Sequence, residues 1–216
     1  MNWPEWLEDP RLRRLGLQIG AGIVVVALIV AGIWTWYRAQ ESRGEAALAA
    51  AGLLVQQASV PQPAPGAREA AIKALEGVLN DHPRFSGAPL AAYELGNLRF
   101  AAGQYASARS AYQLALAKGG SPTLKALAAV GIGYTWEAEK NYGNAAAAYE
   151  AALKTMATKD FLYEDALMSL ARVQELAGNA AAAQATYQRL LKDVPDTRRG
   201  EDLRARLAEL KSRASK

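Results

Sequence analysis

The chain has 216 residues, of which 51% are hydrophobic and 21% are charged, and its formal net charge is +4. It contains no Cys, which excludes disulfides, thiolate catalysis and Cys-ligated metals. The only His is His82, next to Pro83 at a predicted helix end, where the helix dipole favours an ordinary exposed imidazole over a metal ligand or a catalytic base.

Residues 15–37 form a run without a single charged residue. As a helix, this run reaches roughly 35 Å, enough to cross a bilayer core of about 30 Å. A cleaved signal peptide has a shorter apolar core that ends at small residues. This run instead ends in Trp34, Trp36 and Tyr37, whose rings suit the membrane interface. We therefore predict an uncleaved transmembrane signal anchor.

Basic residues flank this run unequally and predict its orientation. Three precede it and two follow it, namely Arg11, Arg13 and Arg14, then Arg38 and Arg43. Because cytoplasmic flanks carry the excess of positive charge, we predict a single-pass membrane protein with a cytoplasmic N-terminus. Its short arm, residues 1–14, is then cytoplasmic and the rest of the chain periplasmic. A bias of three to two leaves a cytosol-facing domain as the alternative.

Small residues recur along one side of the predicted span. Gly16, Gly20, Ala27 and Ala31 fall within a narrow arc of a helix that turns 100° per residue. Such seams allow a second transmembrane helix to approach closely. We predict that these four residues form a helix contact, although ordinary lipid-facing composition is the alternative.

Three similar units follow the span. Their equivalent positions Gly96, Gly133 and Ala171 lie 37 and then 38 residues apart. Each unit continues with a small residue and then an aromatic one at fixed distances: Ala108, Ala145 and Ala183, then Tyr112, Tyr149 and Tyr187. This pattern resembles the 34-residue tetratricopeptide repeat with lengthened connections, and it predicts an all-α helical solenoid.

Each repeated position has a physical reading. The small residue at position 96, 133 or 171 lets two antiparallel helices cross closely, and the tyrosine fills the gap toward the next unit. Gly103 and Gly178 end the first helix of their units in a turn. Lys140 stands in the middle turn, which we therefore expect to bend differently. No pair buries its apolar face alone, so stacking supplies the missing surface.

The remaining segments complete the predicted organisation. A Pro-rich break at residues 60–66 interrupts a degenerate first unit, whose first helix continues out of the membrane. Near the end, Leu203, Leu207 and Leu210 form an apolar stripe typical of a capping helix. The predicted segments are the arm (1–14), the anchor (15–37), the long helix with the degenerate unit (38–83), three helix pairs (84–196) and the basic cap (197–216).

The first helices of the pairs should line a concave groove for protein segments. The positions not needed for packing within a repeat are Tyr93, Asn97, Phe100, Val130, Tyr134, Glu137, Met168, Arg172 and Glu175. Their aromatic rings and few charges suit extended or partly unfolded polypeptides. A carboxylate-clamp mode of binding is disfavoured, since Tyr93 and Val130 stand where it requires a basic residue. The alternative is that the rings pack into neighbouring repeats.

Enzymatic motifs are missing from the sequence. It has no Walker loop, no G-x-S-x-G elbow and no H-E-x-x-H, so we predict neither an enzyme nor a cofactor. The last twenty residues carry seven basic and three acidic residues, which accounts for the whole net charge. A solvated capping helix explains this charge better than anionic lipid or an acidic partner. Nucleic acid is a poor fit, because no aromatic-studded basic surface accompanies the cap.

The whole layout resembles that of the ancillary subunit of the SecYEG translocon and its YfgM-like relatives. The resemblance is carried by the exit from the membrane at residues 34–38, by residues 85–96 and by the helix at residues 105–116. It implies a bacterial inner-membrane protein with a periplasmic repeat domain, a chaperone-like or adaptor subunit that meets newly exported proteins beside the Sec machinery. The alternatives are a scaffold in another envelope assembly and a cytosol-facing anchored receptor.

Overall fold

The computed structural model describes residues 10–214, which leaves residues 1–9 of the predicted arm outside the description. These described residues form nine helices and no strand. In chain order the helices are α1 (Pro10–Ala58), α2 (Ala67–Asp81), α3 (Ala88–Ala101), α4 (Tyr105–Lys118), α5 (Pro122–Ala138), α6 (Tyr142–Leu153), α7 (Tyr163–Leu176), α8 (Ala180–Asp193) and α9 (Gly200–Ala214). The predicted all-α solenoid is confirmed.

The chain divides into two compact units, residues 1–43 and residues 44–216. The first unit, as far as it is described, is the amino-terminal part of α1. Residues 15–37 are exposed throughout, and α1 is long and apolar enough to cross a membrane by length and composition. Arg38 lies over the ring of Trp34 at 4.5 Å, and Trp36 meets Tyr37 edge-on. Aromatic rings beside a basic residue suit the boundary between acyl chains and water.

The second unit stacks three helix pairs, α3–α4, α5–α6 and α7–α8, and each pair contacts the next. Its buried residues form two apolar clusters, one from α1 to α5 and one from α5 to α9. The carboxyl-terminal part of α1 belongs to the first cluster through Ala51 and Ala58, which are each 2% exposed. This part of α1 therefore shares an apolar cluster with α2, as the first helix of the degenerate unit would.

A phenylalanine wedge holds the loop between α2 and α3 against α1. The Phe85 side chain is 6% exposed and lies so close to Gly44 that a Cβ there would be 2.5 Å from its Cγ. It is equally close to Gly87, where a Cβ would be 2.2 Å from Cζ. A side chain on either glycine would displace the ring. Both glycines are thus required by packing.

The turns inside the three pairs adopt one conformation. Gly103 and Gly178 have φ angles of 73° and 77°, and Lys140 in the middle turn has a φ of 59°. The expectation that Lys140 bends its turn differently is wrong. The stacking of the helices requires a left-handed backbone conformation at this turn in every pair. The middle repeat has a lysine there, which adopts this conformation despite the steric cost of its Cβ.

Where the two helices of a pair cross, a tyrosine ring of one helix packs directly on the glycine backbone of the other. A Cβ at Gly96 would lie 2.5 Å from Cδ1 of Tyr112, and one at Gly133 would lie 2.3 Å from Cε1 of Tyr149. The other edge of the Tyr112 ring faces Gly131 of the next pair, where a Cβ would lie 2.9 Å from Cε2. Tyr112 therefore fills the gap between two units.

Gly133→Ala should lower the free energy of unfolding by about 1–3 kcal/mol, because its methyl group overlaps a buried ring. The matched control is Gly77→Ala in the interior of α2, whose Cβ would meet nothing within 4 Å. That change should raise stability by about 0.5–1 kcal/mol through helix propensity. Denaturant unfolding of the full chain in detergent, followed by far-UV circular dichroism, compares the two. Equal effects of the two changes would contradict the assigned crossing.

Candidate protein-binding groove

Most of the nine predicted groove positions lie where a partner can reach them, and one does not. Tyr93, Asn97 and Phe100 on α3 are partly exposed. Tyr134 on α5 is 38% exposed. Val130 is only 2% exposed and belongs to the second apolar cluster, so its assignment to the groove is wrong. The reason is that Val130 packs in the apolar cluster formed by residues of α5 to α9.

The amino-terminal part of the groove is aromatic and uncharged at its centre. Tyr93 packs against the buried Tyr112 with ring centroids 5.8 Å apart, and the Tyr112 hydroxyl donates to Asn97 Oδ1 at 2.9 Å. Phe100 packs on Tyr105 at 5.4 Å. The α3 rings thus pack on α4 of their own pair, whereas the alternative reading expected packing on neighbouring repeats, and both rings stay partly exposed.

Tyr134 is the most exposed aromatic residue of the predicted set. Its ring meets Tyr149 edge-on, with centroids 5.8 Å apart. The neighbouring helix therefore fixes the orientation of a side chain that still offers much of its surface. Such a ring buries a large area on binding and loses little entropy.

The carboxyl-terminal part of the groove repeats an ionic arrangement. Glu137 accepts hydrogen bonds from the Tyr149 hydroxyl and from Arg172 Nη2, both at 2.9 Å. At the equivalent position of the next unit, Glu175 accepts from the Tyr187 hydroxyl at 2.7 Å and from Arg206 Nε at 3.2 Å. Each glutamate thus joins its own pair to the first helix of the following unit.

These surroundings raise the pKa of the core tyrosines. Burial is the main cause for Tyr112, Tyr149 and Tyr187, because it disfavours the charged phenolate. The negative charge of Glu137 and its hydrogen bond raise the pKa of Tyr149 further, and the hydrogen bond to Glu175 acts in the same direction on Tyr187. All three phenols remain protonated at neutral pH.

Four of the predicted residues meet in one cleft. An open cavity of about 500 Å³ is lined by Tyr134, Met168, Arg172 and Glu175 together with Asp165, Ser169, Tyr187, Arg199 and Arg206. We name it the α7–α9 cleft. A second cavity of about 380 Å³ shares Met168, Tyr187, Arg199 and Arg206 with it. The residues predicted on α3 do not line either cavity.

Sequence reasoning missed Arg199 and Arg206 as groove residues, because it assigned the basic end of the chain to a solvated cap. The repeat spacing gives no signal for either arginine. Arg172 lies 35 residues after Glu137, whereas Arg206 lies only 31 residues after Glu175, so continuing the repeat would place Leu210 and not Arg206 at the equivalent position.

The predicted contact face on α1 lies in the first unit. Gly16, Gly20, Ala27 and Ala31 are exposed, and a Cβ at either glycine would meet no atom within 4 Å. The helix contact stays a prediction. Across residues 10–214, no cluster of three or more His, Asp or Glu side chains is placed to hold a metal ion.

Comparison with known proteins agrees with this geometry. The tetratricopeptide repeat-like domain matches residues 12–165, and a tetratricopeptide repeat family matches residues 137–207. The chain belongs to the tetratricopeptide repeat-like family. Domains of this family are modules that bind proteins or peptides, and no catalytic family is matched. Among curated proteins, none matches the sequence.

A solved structure shares the fold. It is described as the crystal structure of the APC/C hetero-tetramer Cut9–Hcn1, and it aligns with a TM-score of 0.50 and 19% identity. The alignment covers 67% of this chain but only 27% of that chain. At this identity the likeness concerns the tetratricopeptide fold alone.

The raised tyrosine pKa values predict a loss of stability at alkaline pH. Unfolded tyrosine ionises near pH 10, whereas the folded phenols keep their protons to higher pH. The contribution of these tyrosines to the free energy of unfolding is therefore fully present below about pH 9. It is lost as the pH rises above 10, by at most about 1.4 kcal/mol per pH unit for each tyrosine. Unfolding free energies of the wild type and of Tyr149→Phe, measured from pH 8 to 11, check this. The variant should show the shallower fall, and identical slopes would contradict the assignment.

Proposed function

We propose that this chain is a membrane-tethered protein-binding module of the bacterial envelope. In this proposal residues 15–37 span the inner membrane once, with residues 1–14 in the cytoplasm and the repeat domain in the periplasm. There the domain acts as a chaperone-like or adaptor subunit that receives exported polypeptides beside the Sec machinery.

One observation carries the proposal: a charge-free, fully exposed helical stretch is joined in one chain to a family of protein-binding repeats. In a soluble protein, an exposed apolar surface of this length is a severe aggregation liability, whereas a bilayer satisfies it. The basic residues before the stretch support the proposed direction. The exposed ring of Tyr134 beside Met168 supports a preference for extended polypeptide.

Topology provides the first test. A reporter fused after Lys216 that matures only in an oxidising, exported compartment should be active, because the repeat domain should be translocated. A second fusion to a reporter that works only in the cytosol should be silent. The reverse pair of results would contradict the periplasmic assignment and favour the anchored cytosolic receptor.

Site-specific photo-crosslinking provides the second test. A crosslinking amino acid in place of Tyr134 should capture Sec subunits or exported polypeptides from intact cells. The matched control is the same amino acid in place of Leu114 on α4, because the two side chains are 38% and 37% exposed. Position 114 should capture little. Equal capture at the two positions would argue against the groove, and subunits of another envelope complex at position 134 would favour the scaffold alternative.

A further inference from the structure

We propose that the α7–α9 cleft binds an extended segment that presents a carboxylate next to an apolar side chain. This inference rests on the proposed protein-binding function and names the chemistry of its ligand. Three arginines meet in the cleft from separate parts of the chain: Arg172 from α7, Arg199 from the loop before α9, and Arg206 from α9. Arg206 is engaged in holding the helices together, whereas Arg172 and Arg199 have donors left to bind a ligand.

Arg206 is the structural member. It donates to both oxygens of Glu175, whose side chain is only 13% exposed, and it also pairs with Glu209. The same Glu175 accepts the hydroxyl of the buried Tyr187. Redirecting Arg206 to a ligand would leave a largely buried carboxylate short of donors, which is costly. Arg206 therefore holds α9 on α7.

Arg172 and Arg199 are the available members, since their side chains are 54% and 47% exposed. Arg172 donates through Nη2 to Glu137, and Arg199 donates through Nη1 to Asp165, both at 2.9 Å. Among the described residues, no side-chain hydrogen bond uses the other nitrogens of either guanidinium. Each group can thus keep its protein partner and donate to a ligand carboxylate, for which the planar fork of arginine is well shaped.

The carboxylates of the cleft do not favour a basic ligand. Glu175 already accepts hydrogen bonds from Tyr187 and Arg206. Asp165 is 51% exposed, but Arg199 pairs with it directly. The unused hydrogen-bonding capacity of the lining therefore lies mainly on the arginine donors, which makes an acidic group the complementary partner.

The apolar part of the site is formed by Tyr134 and Met168. Tyr134 is 38% exposed and is oriented by Tyr149, so it presents a fixed aromatic face. Met168 is half-buried and lines both cavities, where its flexible thioether can adapt to different side chains. A ligand residue adjacent to the carboxylate would pack here.

Four fluorescein-labelled Gly-Ser decapeptides test this chemistry, with Phe-Asp, Phe-Asn, Ala-Asp or Phe-Lys at the centre. Binding is measured by anisotropy against the full chain in detergent, at low and at high salt. The Phe-Asp peptide should bind tightest, and the change to Phe-Asn or Ala-Asp should weaken binding by about fivefold or more. Raising the salt should weaken Phe-Asp binding more than Phe-Asn binding.

Variants locate the site. Arg199→Ala should weaken binding of the Phe-Asp peptide by about fivefold or more and leave the Phe-Asn peptide nearly unchanged. The matched control is Arg198→Ala, which removes the same charge from the adjacent exposed residue outside both cavities and should change neither peptide by more than about twofold. Asp165→Asn removes the nearer of the two carboxylates that pair with Arg199, Glu164 at 3.8 Å being the other, and should strengthen Phe-Asp binding, an effect that a merely structural pair would not produce.

Three results would overturn the inference: no discrimination between Phe-Asp and Phe-Asn, tightest binding of Phe-Lys, or equal effects of Arg198→Ala and Arg199→Ala. Thermal unfolding followed by circular dichroism shows whether each variant is folded. If crosslinking at position 134 persists while the peptides fail to discriminate, the acidic ligand is wrong and the protein-binding function stands. If both experiments fail, the proposed function falls with the inference.

Discussion

A tyrosine ring packed on glycine backbone is the contact on which the repeat stack depends. At Gly96 and Gly133 the two helices of a pair approach so closely that the ring of the partner helix occupies the place of a side chain. Because a repeat pair has too little apolar surface of its own, this ring also has to serve the next unit, as Tyr112 does at Gly131. The crossing distance and the stacking distance are thus set by one residue.

Burying a tyrosine in this place creates a second requirement, since its hydroxyl needs a partner. Asn97 provides it in the first pair, whereas Glu137 and Glu175 provide it in the next two. A partly buried glutamate in turn needs a positive charge, and Arg172 and Arg206 supply one from the following helix. The charge pattern of the groove is therefore a consequence of core packing.

The first pair differs from the other two in the partner of its tyrosine hydroxyl, and the charges around it differ accordingly. Its hydroxyl partner is a neutral amide, and Phe100 stands at the position that Glu137 and Glu175 occupy in the other units. No arginine is then required at the next unit, where Tyr134 stands in place of Arg172. One end of the groove is consequently aromatic and the other ionic, and they meet at Tyr134 and Arg172.

The repeat positions could be predicted from sequence because each accepts only a narrow class of residue, such as glycine or alanine at a crossing. Val130 and Lys140 could not, since their behaviour depends on the stack as a whole. Val130 is buried in the apolar cluster of α5 to α9, and the stacking imposes on Lys140 a turn that its own preference opposes. The groove arginines of the cap were missed for a related reason. Charge counted along the chain describes a solvated helix, whereas Arg206 faces Glu175 only because α9 continues the stack as the first helix of a further unit. α9 thereby contributes Arg206 to the α7–α9 cleft, so the stacking of this helix and the lining of the cleft depend on the same element.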